Sequence, residues 1–139
     1  MNGFGWALVA AVIWGCCPLI EKLGLVRADP MIGVVARSVG VLLGLVVFGW
    51  RASVWKGLTD LSVRSFTLLA LGGFLASFLG QFAFYQALKT GRISQVTPVA
   101  GSYPLVAAVL GWLVLSEPIT TARLAGVACV VVGILLLKP

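Results

Sequence analysis

Long apolar stretches make up most of the chain, and short clusters of charged residues separate them. Three stretches of 20 to 24 residues carry no charged side chain, and a fourth carries only Arg37. A fifth stretch is shorter, but the polar residues before it can extend it because Arg123 can reach the interface. A helix needs roughly 20 such residues to cross a membrane. The pattern predicts five transmembrane helices, at about residues 3–20, 31–50, 66–88, 94–115 and 121–138.

Composition supports a membrane protein over a soluble one. The chain has 139 residues, of which 60% are hydrophobic and 10% are charged. A soluble domain has about 25% charged residues, because its surface must be covered by polar groups. We therefore expect an all-α integral membrane protein, a single five-helix transmembrane domain over residues 1–139, that crosses the inner or plasma membrane several times.

Few residues are suited to catalysis or metal binding. The chain contains no histidine, and its cysteines, Cys16, Cys17 and Cys129, lie inside apolar stretches without the spacing of metal ligands. No pair of carboxylates is placed for acid–base chemistry. The basic residues are not concentrated on one face as nucleic-acid binding requires. We expect neither an enzyme nor a cofactor or metal, and no nucleic-acid partner.

The third apolar stretch carries polar side chains at helical spacing. Ser77, Gln81 and Tyr85 follow one another at steps of four, which places them on one face of an α-helix. An unpaired amide in hydrocarbon costs several kcal/mol, so Gln81 should face protein or water. Two interpretations remain open: hydrogen bonds between neighbouring helices, or the lining of a water-accessible cavity.

The fourth apolar stretch contains two prolines, Pro98 and Pro104. Each proline removes a backbone donor, which predicts an interrupted helix. Interrupted helices in membranes occur where they are buried in protein or line a cavity. The alternative is a kink that only improves packing. We identify these prolines as candidate gating positions and expect further cavity-lining side chains around them and on the first helix: Thr97, Ser102, Tyr103 and Trp14.

Arg37 lies about 9 Å into the second apolar stretch. At this depth its long side chain can extend to the interface, where its charge needs no partner. The alternatives are a pairing with Glu21 or Glu117, or a contact with an anionic group of a substrate. Both glutamates lie at helix ends, so the sequence does not support proton coupling.

Basic residues are balanced across the membrane. Four of them flank one side of a five-helix arrangement, Arg51, Lys56, Arg64 and Arg123, and five flank the other, Lys22, Arg27, Lys89, Arg92 and Lys138. The positive-inside rule therefore favours neither orientation. Either the first helix or a partner sets the orientation, or the chain inserts both ways and pairs antiparallel with itself.

Four segments together resemble the EamA-type half of the drug/metabolite transporter superfamily. They are "AAVIWGCCPLIEKLGL", "PMIGVVARSVGVLLGL", "GQFAFYQALKTGRISQVTPV" and "LSEPITTARLAGVACVVVGILLL", in this order along almost the whole chain. The resemblance implies half of a ten-helix transporter built from two inverted five-helix units around a central cavity. It also implies export of a small metabolite or drug-like molecule.

Two functions are compatible with this resemblance. The first is a secondary transporter that works by alternating access, assembled as an antiparallel homodimer or with a homologous five-helix partner. The second is a non-transporting membrane subunit or a component of a lipid-linked-sugar flippase. Both predict the lipid bilayer as surroundings, and the first adds a small-molecule substrate. The sequence identifies neither the substrate nor a coupling ion.

Overall fold

The computed structural model describes residues 3–50, 52–118 and 120–137, and all regular secondary structure within them is helical. Two of the basic residues counted above, Arg51 and Lys138, lie outside the described residues. The chain divides into two units, Met1–Thr90 and Gly91–Pro139. The first unit contains helices α1 (Gly3–Gly24), α2 (Pro30–Gly49), α3 (Ala52–Thr59) and α4 (Val63–Thr90). The second contains α5 (Ile93–Leu115) and α6 (Thr121–Leu136).

Four of these helices, α1, α2, α4 and α5, are long and apolar enough to cross a membrane. The last helix, α6, is apolar but has 16 residues, or about 24 Å at 1.5 Å per residue. This is shorter than the roughly 30 Å of a bilayer core. The expected end of the fifth span at residue 138 lies outside the described residues. The structure therefore supports an all-helical membrane protein with four clear spans, and the fifth span stays a prediction.

Local sequence explains where α2 begins. The Asp29 carboxylate accepts a hydrogen bond from the Met31 amide at 2.8 Å, and Pro30 occupies the first position of the helix. An aspartate cap satisfies an amide that has no partner within the helix, and proline loses nothing there because that position needs no donor. The five-residue connection Leu25–Asp29 therefore turns the chain sharply from α1 into α2.

Helix α4 changes its winding midway. Its ends, Val63–Phe74 and Gln81–Thr90, are α-helical, whereas Leu75–Gly80 between them is π-helical. The ring of Phe74, the last residue of the first α-helical segment, stacks on the ring of Phe78 in the π-helical segment, with centroids 5.4 Å apart. A π-helical turn holds one more residue than an α-helical turn, so it rotates the side chains that follow relative to those that precede.

Helix α5 is interrupted at Gly101 and Ser102, between the two prolines. The amide of Gly101 donates to the Thr97 carbonyl at 2.7 Å, and the Ser102 hydroxyl donates to the Val99 carbonyl at 2.6 Å. Pro104 has no N–H to offer the Ala100 carbonyl, which ends the first helical segment. The two segments are Ile93–Ala100 and Tyr103–Leu115.

The buried side chains of the first unit collect at one end of its helices. Leu25, Val34, Tyr85 and Leu88 are each at most 4% exposed. They come from the connection directly after α1, the start of α2 and the end of α4. Most other apolar side chains on the spans are exposed, which carries no penalty where the surroundings are lipid. The tightest packing therefore lies where these three helices meet.

Candidate functional site: a charged pair among three helices

Glu21 lies in the last turn of α1, and its carboxylate contacts three side chains. Its Oε1 atom accepts hydrogen bonds from the Tyr85 hydroxyl at 2.9 Å and from Gln81 Nε2 at 3.2 Å. Arg37 Nε lies 3.6 Å from the same oxygen. The Glu21 side chain is 16% exposed. One carboxylate oxygen thus ties α1 to α2 and α4.

The register of the helices brings these groups together. Gln81 and Tyr85 are four residues apart in the α-helical end of α4, so they lie on one face. Glu21 lies about one turn before the end of α1, and Arg37 lies two turns into α2. Because the connection between α1 and α2 is short, these two positions approach each other across the turn.

Gly33 permits the close approach of α2 to the other helices. A Cβ atom at this position would lie 2.7 Å from Leu25 Cδ2 and 2.9 Å from the Tyr85 ring. These distances are shorter than any ordinary van der Waals contact, so no other residue fits without a shift of its neighbours. Gly33 therefore sets how close the Tyr85 ring lies to α2, and with it the reach of the hydroxyl to Glu21.

Two lysines attach the ends of the helices to one another. Lys22 Nζ donates to the Leu88 carbonyl at 2.6 Å, and Lys89 Nζ donates to the Ala28 carbonyl at 2.9 Å. Carbonyls near the end of a helix lack partners within the helix, and a cation there also interacts favourably with the helix dipole. These contacts hold the end of α4 against α1 and the connection that follows α1.

A pocket of about 300 Å³ lies beside the charged pair. Three of its lining side chains are polar: Glu21, Arg37 and Tyr85. The remaining lining residues are small or apolar and come from α1, α2 and their connection: Gly24, Leu25, Ala28, Ile32, Gly33 and Ala36. The pocket thus joins one pair of opposite charges to an apolar wall, as small-molecule sites commonly do.

The structure brings together three of the candidate residues named from the sequence, Arg37, Gln81 and Tyr85, all at Glu21. Ser77 lies in the π-helical segment of α4 and its side chain is exposed, away from this cluster. Trp14 is 63% exposed and does not line the pocket. For Arg37, the pairing with Glu21 is the alternative that the structure displays.

The other candidates lie in the second unit, around the interruption of α5. Thr97 has a buried hydroxyl oxygen without a hydrogen-bond partner among the described residues. Ser102 donates its hydroxyl to the Val99 carbonyl, and Tyr103 is 58% exposed. Both prolines, Pro98 and Pro104, are exposed. These five residues therefore form a second group in the second unit. Their contacts do not indicate a specific role.

The sequence indicates Glu21 only as a possible partner of Arg37, and it gives no indication of a role for Gly33. The signal for Glu21 is its charge, which falls three residues before the end of α1. A charge at a helix end is also what an interface requires, so this position alone does not reveal its partners. The importance of Gly33 depends on the contact between helices, which hydrophobic periodicity does not specify.

Comparisons with known proteins agree with this architecture. The sequence profile of the EamA-like transporter family matches residues 1–138. An uncharacterized protein of Methanocaldococcus jannaschii is 24% identical over 94% of this chain and 92% of its own length. No solved structure gives a significant match.

Two relatives have names that indicate a function. A probable amino-acid metabolite efflux pump of Salmonella typhimurium is 31% identical over 94% of this chain, which spans only 41% of that pump. A probable 4-amino-4-deoxy-L-arabinose-phosphoundecaprenol flippase subunit, ArnF, of an Enterobacter species is 28% identical over 98% of this chain and 94% of the subunit. Together with the match along nearly the whole chain, they show that this multi-pass membrane protein belongs to the EamA-like transporter family.

Proposed function

We propose that this protein is a secondary transporter that exports a small metabolite or drug-like molecule across the inner or plasma membrane. The observation that carries the proposal is the Glu21–Arg37 pair beside a pocket, in a chain of a transporter family. Ionisable side chains are rare within membrane spans, and those present usually face the interior and mark the path of a substrate or an ion. The pocket supplies an apolar wall next to these charges.

Transport by alternating access requires a second set of helices. The chain spans 41% of the efflux pump, which leaves room in that relative for a second unit of similar size. We propose that the second five-helix unit is an antiparallel copy of this chain or a homologous unit. The balanced basic residues on the two sides support insertion in both orientations.

The interruption of α5 and the π-helical segment of α4 support the proposed movement. Transporter spans are often discontinuous near their binding sites, and the broken backbone lines a cavity. Gly101 and Ser102 separate two rigid helical segments, and Leu75–Gly80 is a local change of winding at the middle of α4. Both are places where a span can bend, so we propose that Pro98 and Pro104 act in gating.

The similarity to the flippase subunit favours one alternative function. This subunit matches over 94% of its length, whereas the pump matches over 41%. The alternative is that this chain is a subunit of a lipid-linked-sugar flippase, or a membrane subunit that does not transport by itself. In either case the chain would need a different partner chain for activity.

The test is solute counterflow into liposomes that contain only the purified protein. The liposomes are loaded in turn with unlabelled amino acids, phosphorylated metabolites and cationic drugs, and entry of the labelled solute is followed. The proposal expects saturable counterflow of at least one solute at least fivefold above protein-free liposomes. Absence of counterflow for all three classes, with activity appearing only after addition of a second chain, would favour the subunit alternative.

A reporter measurement separates the two assemblies. A reporter active on one side of the membrane is fused to the N-terminus in one variant and to the C-terminus in another, because five spans would place the two termini on opposite sides. Dual insertion predicts signal from both variants. Signal from only one variant would show a single orientation, exclude the antiparallel homodimer and leave the homologous partner.

A further inference from the structure

The Arg37 guanidinium is held on one side and open on the other. Its Nε atom faces Glu21 Oε1 at 3.6 Å. Its two terminal nitrogens have no hydrogen-bond partner among the residues that the structure describes, and the side chain is 36% exposed. At this end a guanidinium offers two parallel N–H groups, called its fork below, in a geometry that matches a carboxylate or a phosphate.

Glu21 does not contact that end of the guanidinium. Its Oε1 atom already accepts from Tyr85 and Gln81, and these two donors hold the carboxylate against α4. In that position it contacts Arg37 through a single nitrogen instead of two. The arrangement is that of a carboxylate that orients an arginine while leaving its fork available for another oxyanion.

The surrounding charge favours an anion as well. Four basic residues lie at this end of the first unit, Lys22, Arg27, Arg37 and Lys89, against two acidic residues, Glu21 and Asp29. Only Arg37 and Glu21 of these residues line the pocket, whose other walls are mostly small and apolar. The net positive charge at this end of the helices raises the local concentration of anions near the pocket.

We propose that the pocket between α1 and α2 binds an oxyanion end-on at the Arg37 fork, either a carboxylate or a phosphate. Glu21 is a positioning residue for this site, and the apolar wall accepts the rest of the ligand. The oxyanion belongs either to a transported solute or to the headgroup of an anionic lipid. For a solute, the inference rests on the proposed transport function and narrows its substrate to molecules that carry such a group.

Protection of Arg37 from chemical modification tests the site in the unaltered protein. Phenylglyoxal modifies accessible arginines, and mass spectrometry gives the rate at each one. The reaction is run in neutral-detergent micelles in sodium chloride, sodium acetate or sodium phosphate at equal ionic strength. We expect acetate or phosphate to slow the modification of Arg37 at least threefold and to leave Arg27, an exposed arginine of the connection, unchanged. Equal rates at Arg37 in all three salts would overturn the proposal.

Thermal unfolding of variants gives a second readout that does not depend on the reactivity of Arg37. A bound ligand stabilises the folded state in proportion to its occupancy, so a titration with phosphate gives an apparent Kd. Arg37→Lys keeps the charge but loses the fork, and we expect roughly tenfold weaker binding. Arg27→Gln removes a nearby charge and should change Kd less than twofold. Equal weakening in both variants would show a nonspecific charge effect and contradict the site.

Nanodiscs distinguish the two sources of the oxyanion. If a lipid headgroup occupies the site, phosphatidylglycerol protects Arg37 without added phosphate and phosphatidylcholine does not. If a solute occupies it, added phosphate protects in both lipids to the same extent. Neither measurement requires transport. Protection without counterflow therefore contradicts only the proposed function, and counterflow without protection contradicts only this site.

Discussion

Glu21 and Arg37 join α1 to α2 through a single contact, 3.6 Å between Oε1 and Nε, while Tyr85 and Gln81 hold the same oxygen from α4. The pair is only partly exposed to its surroundings. An ion pair in such a place contributes little net stability, but the loss of one partner leaves the other charge uncompensated. This asymmetry makes the pair accessible to experiment.

The first prediction concerns the loss of one or both charges. Glu21→Gln leaves Arg37 without its counter-charge and should lower the free energy of unfolding by about 1–3 kcal/mol. The double variant Glu21→Gln/Arg37→Gln removes both charges and should be less destabilised than the sum of the single variants. Unfolding in mixed micelles gives the free energy of unfolding of the wild type, the two single variants Glu21→Gln and Arg37→Gln, and the double variant. Strictly additive effects would show that the two side chains do not interact.

A second prediction isolates one hydrogen bond to Glu21. Tyr85→Phe keeps the buried ring and removes the hydroxyl donor, which should cost about 1–2 kcal/mol because the acceptor is charged. Tyr103→Phe is the matched control, because Tyr103 is 58% exposed and its hydroxyl has no hydrogen bond among the described residues. Thermal unfolding should show a lower unfolding temperature for Tyr85→Phe than for Tyr103→Phe. A similar loss in both would contradict a specific role for the Tyr85 hydroxyl.

The close approach at Gly33 gives a third prediction. Gly33→Ala places a Cβ atom within 2.9 Å of Tyr85 and 2.7 Å of Leu25, which should destabilise the protein by about 1–3 kcal/mol. Gly40→Ala, on the same helix, meets nothing within 4 Å and should be neutral or slightly stabilising because alanine favours helix. Thermal unfolding in detergent compares them. Equal stability of Gly33→Ala and Gly40→Ala would contradict the close packing of α2 against Leu25 and Tyr85.

The interruption of α5 leads to a fourth prediction. Pro104→Ala supplies an N–H that can bond to the Ala100 carbonyl, so it should extend the helix and stiffen the break. We expect counterflow to fall several-fold while thermal stability is unchanged or higher. Ala107→Ser, three residues later on the exposed surface of the same helix, is the control and should keep both properties. Unchanged counterflow in Pro104→Ala would argue against gating at this position.

Much of the helical pattern follows from the sequence, because runs of apolar residues predict the spans directly. The α-helical spacing also places Gln81 and Tyr85 on one face, where both donate to Glu21. The same spacing groups them with Ser77, but Ser77 lies in the π-helical segment, where its side chain is exposed and makes no hydrogen bond to Glu21. Hydrophobic periodicity contains no signal for this change of winding.

Features that depend on contact between helices are less predictable. In the sequence, Glu21 resembles any charged residue at a helix end. Only the packing of α4 shows that Gln81 and Tyr85 donate hydrogen bonds to it. In the sequence, Gly33 is one of many small residues in an apolar helix. Its role depends on the positions of Leu25 and Tyr85, which pack against it from outside α2. The sequence therefore predicts the spans better than the site, because the site is assembled by residues far apart in the chain.

The most direct test of the charged pair as part of the transport path is counterflow in liposomes with Arg37 altered. The solute is whichever of the three classes moves with the wild-type protein, and Arg37→Lys is compared with Arg27→Gln after both are shown to unfold at similar temperatures. A transporter whose solute contacts the Arg37 fork predicts at least tenfold lower counterflow in Arg37→Lys and nearly normal counterflow in Arg27→Gln. Normal counterflow in Arg37→Lys would contradict the claim that the charged pair lies in the transport path.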